Sequence, residues 1–80
     1  MADIRDPGGN LVYRTDGMYV RNTFGTVVIR IDGNSLRDEY GNLKATLDGD
    51  SIRDVYGNMI ARLDGSSIRD TYGNVIYRID

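Results

Sequence analysis

Apolar and polar positions in this chain recur every sixteen residues, in short runs broken by glycine. The last period shows the pattern. Ser67-Ile68-Arg69-Asp70 is a short run, and Val75-Ile76-Tyr77-Arg78-Ile79 is a longer one. Both are rich in β-branched or aromatic residues, and side chains two apart share a face of a strand. Dividing the chain into 1–16, 17–32, 33–48, 49–64 and 65–80 needs no gaps. Counted from the start of each unit, the fourth place is aliphatic: Ile4, Val20, Leu36, Ile52, Ile68. The fifth is Arg5, Arg21, Arg37, Arg53, Arg69, and the ninth is Gly9, Gly25, Gly41, Gly57, Gly73. The sixteenth is Asp16, Asp32, Asp48, Asp64, Asp80. Five matches in register at four places establish a tandem repeat.

Two turn signals punctuate each unit. Asp-Gly joins consecutive units, as in Asp48-Gly49, and predicts a type I′ hairpin turn. The second signal lies inside the unit, as in Thr71-Tyr72-Gly73-Asn74, and becomes Pro7-Gly8-Gly9-Asn10 in the first copy. Each unit therefore reads as a β-hairpin. Helix is disfavoured because a glycine falls about every eight residues, each costing a helix interior roughly 1 kcal/mol.

A two-residue Asp-Gly turn would pair the thirteenth place of one unit with the fourth of the next. A four-residue inner turn would pair the fourth with the thirteenth of its own unit. Both put the fourth, eleventh, thirteenth and fifteenth places on one face. That face is Ile68, Val75, Tyr77 and Ile79 in the last unit, and Ile52, Met59, Ala61 and Leu63 in the fourth. It is the expected core. The opposite face carries arginine at the fifth and usually the fourteenth place. Its twelfth place is nonetheless aliphatic in four units: Val12, Val28, Ile60 and Ile76, with Lys44 the exception. Either arginine stems cover these residues or a packing partner does.

A lone hairpin is unstable, and an open meander of ten strands leaves two bare edges. A whole number of equal units removes the edges if the strand near Ile76–Ile79 pairs with that near Asp3–Arg5. The expected fold is all-β: five tandem hairpins in one domain, residues 1–80, closed as an antiparallel meander into a pseudo-five-fold ring or barrel. A solenoid of stacked coils is the alternative.

The string Ile68-Arg69-Asp70-Thr71-Tyr72-Gly73-Asn74-Val75-Ile76, and its counterpart from Ile52, resembles the repeats of the bacterial five-fold β-flower proteins. The likeness covers all five units and implies a ring of short hairpins, without implying an activity. Gly8 stands where other copies have an aromatic residue, and Thr15 where they have Ile or Leu, so the first hairpin should be the loosest. The segment Gly9–Gly17 also resembles the tyrosine–aspartate repeats of large secreted shell proteins, but those repeats are longer and come in long arrays.

Composition narrows the chemistry. No cysteine or histidine is present, which removes disulfides, thiolate sites, the commonest zinc ligand and the commonest general base. Ten Lys+Arg balance twelve Asp+Glu, so no electrostatic argument favours nucleic acid or an anionic membrane. The sequence has no transmembrane-length apolar run, and a soluble, cytoplasmic protein is expected if the chain is complete as given. Serines Ser35, Ser51 and Ser67 have no base to activate them, so no enzyme and no cofactor is expected. Asp48-Gly49-Asp50 opens like a calcium loop, but Ile52 and Met59 occupy later ligand places, so turn chemistry explains it better.

Two sets of residues are candidates for binding. Arg5, Arg21, Arg37, Arg53 and Arg69 would form a ring able to hold an anion. Their plainer role is pairing with neighbouring aspartates such as Asp54 or Asp70. Phe24, Tyr40, Tyr56 and Tyr72 sit beside the inner-turn glycines and would make a band at one rim. They could stack on sugars or meet a second subunit, and their plainer role is to cover one end of the core. The expectation is a structural or interaction module that forms a homo-oligomer. A carbohydrate- or anion-binding module is the rival.

Overall fold

The computed structural model describes residues 1–80 and contains ten strands and no helix. They are β1 (Ala2–Arg5), β2 (Leu11–Thr15), β3 (Tyr19–Asn22), β4 (Val27–Asp32), β5 (Ser35–Arg37), β6 (Leu43–Asp48), β7 (Ser51–Arg53), β8 (Met59–Asp64), β9 (Ser67–Arg69) and β10 (Val75–Ile79). Each unit supplies one short and one long strand. All pairings are antiparallel between sequence neighbours, and β1 pairs with β10 to close the barrel. The Asp3 N–H donates to the Asp80 carbonyl at 3.0 Å, and the Asp80 N–H to the Asp3 carbonyl at 2.8 Å. This closure repeats the pairing made across every inter-unit turn. Ile79 faces Ile4 as Leu47 faces Ile52. The chain ends therefore stand where a fifth such turn would be, and no sheet edge is left bare. The first hairpin keeps this register despite Gly8 and Thr15, and its Ile4 is among the most buried residues.

The inter-unit turn differs from the Asp-Gly type I′ expectation. Asp48 pairs with Ser51, so Gly49 and Asp50 are the central residues. Gly49 has φ +62° and no non-glycine residue has positive φ, which is the signature of type II′. The fifteenth place, and not the thirteenth, consequently faces the fourth of the next unit. The slip is two residues, so the faces are unchanged.

The inner turn is a three-residue loop, not a four-residue one. In the fourth unit the Gly57 N–H donates to the Asp54 carbonyl at 3.1 Å, and the Asp54 N–H to the Asn58 carbonyl at 2.8 Å. Gly57 at φ +88° completes a type I turn with a glycine bulge. This alone would reverse the faces of the second strand. A second bulge restores them: Arg53 faces Met59 and Ile52 faces Ala61, leaving Ile60 without a partner. The same shift occurs in all five inner hairpins. It accounts for the aliphatic twelfth place, which is the bulged residue and belongs to neither alternating face. It also corrects the eleventh place, which stands opposite the arginine instead of within the core. Leu43 and Met59 are accordingly exposed.

The interior is a continuous belt of fourth, thirteenth and fifteenth places, each facing the next around the barrel. It is thin. Ile4, Ala45 and Ala61 are the only buried residues. Side-chain size at the thirteenth place is uneven: Tyr13, Ile29, Ala45, Ala61, Tyr77. Tyr13, opposite Ile4, and Tyr77 of the closing strand meet edge to face, ring centroids 6.2 Å apart. Large side chains on one arc and alanines on another share the space inside a small barrel, as mixed sizes do in other small barrels. The molecule measures 30 × 30 × 14 Å. Its 5306 Å² of accessible surface exceeds the roughly 4,900 Å² typical for this mass.

Candidate functional site

A meander barrel sorts its turns by end. All inner turns lie at one rim, and the inter-unit turns and chain termini lie at the other. Phe24, Tyr40, Tyr56 and Tyr72 thus share the inner rim. They do not cover the core: their exposures run from 81% to 91%. Their backbones are nevertheless fixed. The N–H groups of Tyr40 and Asn42 both donate to Asp38 Oδ1 at 2.9 Å. Asp54 holds Tyr56 and Asn58 in the same way, and Asp70 holds Tyr72 and Asn74. In the second unit the Asn22 side-chain oxygen takes this role for Phe24 and Thr26. The sixth-place side chain is therefore the pedestal of each aromatic ring.

The hydrogen bonds leave a mark on titration. Asp6 and Asp70 are held below the ordinary carboxylate range chiefly by the N–H groups of Asn10 and Asn74. At Asp38 burial pulls upward, but the N–H groups of Asn42 and Tyr40 outweigh it.

The rim is apolar beyond its tips. Ten large apolar side chains are exposed. Eight of them belong to the inner turns or the two strand residues after them: Phe24, Tyr40, Leu43, Val55, Tyr56, Met59, Ile60 and Tyr72. Only Met1 and Met18 lie at the other rim.

The five fifth-place arginines do not form an open ring of free guanidiniums. Each donates from Nη1 to the carbonyl of its own inner-turn glycine, from Arg69 to Gly73 at 2.8 Å up to Arg21 to Gly25 at 3.2 Å. Four also meet the sixteenth-place aspartate of the preceding unit: Arg5–Asp80 3.0 Å, Arg37–Asp32 3.8 Å, Arg53–Asp48 3.3 Å and Arg69–Asp64 3.0 Å. The expected partners, Asp54 and Asp70, are instead committed to the turn N–H groups. Arg5–Asp80 links the two ends of the chain. Asp48, the first residue of the calcium-like string, is an arginine partner at the start of a hairpin turn.

The structure adds arginines that the sequence did not single out. The true register sets the fourteenth place opposite the fifth, giving Arg14↔Arg21, Arg30↔Arg37, Arg62↔Arg69 and Arg78↔Arg5. The assumed turn would have put the twelfth place there, which hid these pairs. Like charges directly opposite are unfavourable in a sheet, and at three of the four pairs the sixteenth-place aspartate offsets them diagonally. Arg14 pairs with Asp3 at 3.2 Å, whereas Arg30, Arg62 and Arg78 form no ion pair.

No protein-family model matches the chain, and no curated protein or solved structure matches it.

Proposed function

We infer that this protein is an interaction module that self-associates through its inner-turn rim. One observation carries the reading: eight of the ten exposed large apolar side chains stand on that rim, and the four aromatic rings among them are more than four-fifths exposed. Aromatic residues and methionine are enriched at subunit contacts, and contiguous exposed apolar surface marks an interaction site. The unpartnered bulge residue Ile60 fits the same reading, since no second layer covers it. The reading extends the likeness to five-fold β-flower proteins into a role as a structural unit.

Light scattering across a concentration series tests it. Association that weakens in Tyr40→Ser/Tyr56→Ser/Tyr72→Ser is expected. A strict monomer at high concentration would refute it.

A second reading rests on the pedestals. Each tyrosine ring is presented alone on a turn tip, beside the polar groups of an aspartate and an asparagine. Separate aromatic faces with adjacent polar groups suit stacking against sugar rings, and repetition would supply avidity. Binding of a glycan lost in the same triple variant, with the protein monomeric throughout, would favour this reading over self-association.

A further inference from the structure

One junction departs from the others. At the junction of the first two units, Asp16 does not meet Arg21. Its Oδ1 accepts the N–H groups of Met18 and Tyr19, both at 2.9 Å. The local cause is visible in the sequence. The third place is Ser35, Ser51 and Ser67 in later units but Tyr19 here. Gly17 takes φ +94° against +60° to +62° at Gly33, Gly49 and Gly65. The Arg21 guanidinium lies over the Tyr19 ring instead, 5.5 Å from its centroid.

A cavity of ≈ 320 Å³ opens at this junction, with Leu11, Arg14, Asp16, Arg21, Asn22 and Thr23 in its wall. Several of its side-chain acceptors are already used, while Asp16 Oδ2 takes no hydrogen bond. Asn22 Oδ1 takes two backbone N–H groups, and Asp16 Oδ1 takes two. Thr15 Oγ1 takes the Gly17 N–H. Its donors are free. Arg21 spends Nη1 on Gly25, leaving Nε and Nη2 without partners. Arg14 meets Asp3 through Nε, leaving both Nη groups. The Asn22 amide and the Thr23 hydroxyl donate to nothing. Two guanidiniums from directly opposed residues, with two neutral donors beside them, suit a group with several acceptor oxygens.

We propose that this cavity binds a tetrahedral oxyanion, a phosphoryl or sulfuryl group carried on a small organic molecule, with Arg14 and Arg21 as its ligands. The volume exceeds what a bare ion needs and matches the lower end of small-molecule sites, which begin near roughly 300 Å³. Leu11 supplies an apolar wall for the organic part. The cavity borders the inner turn that carries Phe24, but none of Tyr40, Tyr56 and Tyr72, the residues substituted in the self-association test, lines it, so either reading can fail alone.

The test is an NMR titration of the full chain with inorganic phosphate, inorganic sulfate, glycerol phosphate and glycerol. Saturable shifts of the Arg21 side-chain N–H and of the Asn22 and Thr23 amides are expected. Glycerol phosphate should bind more tightly than either inorganic ion, and glycerol should not bind. The stronger inorganic ion identifies the preferred oxyanion. Arg21→Gln should weaken binding by about tenfold or more, since a charge-assisted hydrogen bond contributes about that factor. Arg69→Gln, the same place in a paired junction, should leave affinity unchanged. Tyr19→Ser supplies a variant with both arginines intact. It should let Asp16 reach Arg21 and weaken binding at an unchanged melting temperature. Absence of saturable shifts, equal shifts at Arg37, Arg53 and Arg69, or equal losses in Arg21→Gln and Arg69→Gln would overturn the proposal. So would inorganic ions binding as tightly as the ester.

Discussion

The two rims of the barrel solve the same problem with different residues. Each must reverse the chain at every unit, and each does so with a glycine at positive φ. At the inter-unit rim the aspartates of the second to fifth units meet the arginine of the next unit around the ring, so polar groups there serve the fold. At the inner rim an aspartate or asparagine fastens the turn, and the aromatic residue on top of it contributes nothing visible to the barrel. A large side chain displayed on a rigid turn, repeated in four units, and left more than four-fifths exposed is the part of the repeat that local structure does not explain. The difference separates residues that hold the ring together from residues whose side chains the ring does not use.

The glycines give the largest test of this contrast. The first central place of a type II′ turn lies outside the left-handed helical region, whereas the inner-turn glycine lies near it. Asparagine visits the second region and avoids the first. Gly49→Asn should destabilise the protein by about 1–3 kcal/mol, and Gly57→Asn by less than about 1 kcal/mol. Chemical denaturation of both variants decides it, and the reverse order would show the turn types to be exchanged.

The aspartates give a smaller one. Asp54→Ala leaves the Tyr56 and Asn58 N–H groups without their acceptor and should cost about 1 kcal/mol. Asp48→Ala removes an exposed ion pair and should stay within about 0.5 kcal/mol. Equal losses in the two variants would erase the distinction between fastening a turn and pairing charges.

Acid reads both rims together. Asp6, Asp38 and Asp70 at the inner rim, and Asp16 at the other, are held below 3.8 in the folded chain. The N–H groups of Met18 and Tyr19 are the chief cause at Asp16. A depressed folded value means that the carboxylate stabilises the fold above its unfolded value. The contribution is lost as pH falls through the lowered folded value. The melting temperature should therefore be insensitive to these four groups from neutral pH down to about pH 4 and fall below it. A midpoint above the ordinary carboxylate range would contradict the assignment.

The smallest expected effect is the most pointed. Tyr56→Ser should leave stability within about 0.5 kcal/mol of the parent, as an exposed substitution outside any packing does. A loss several times larger would return the tyrosines to a structural role.

Much of this architecture was legible in the chain. The sixteen-residue period, the two glycine signals and the whole-number count lead to a closed meander of five hairpins, and β10 closes onto β1 as expected, though with Ile79 opposite Ile4 where a thirteenth-to-fourth register would set Tyr77. The core at Ile52, Ala61 and Leu63 follows from alternation alone. The turn details did not follow, because a two-residue slip and a pair of compensating one-residue shifts all preserve the same alternation. Alternation alone places Met59 in the core for that reason and conceals the arginine pairs. The exposure of Tyr40, Tyr56 and Tyr72 was equally out of reach, since one aromatic beside a turn glycine reads the same whether it folds inward or stands out.

The sequence by itself determined how many hairpins there are and that each presents an apolar face. Repetition and period-two patterning are local properties, and local properties survive in a string of letters. Only the tertiary structure decided which residues face one another around the ring. It set arginines of neighbouring strands opposite one another and left the tyrosine rim uncovered. Those outcomes depend on register and on competition for hydrogen bonds between units, which no single unit contains.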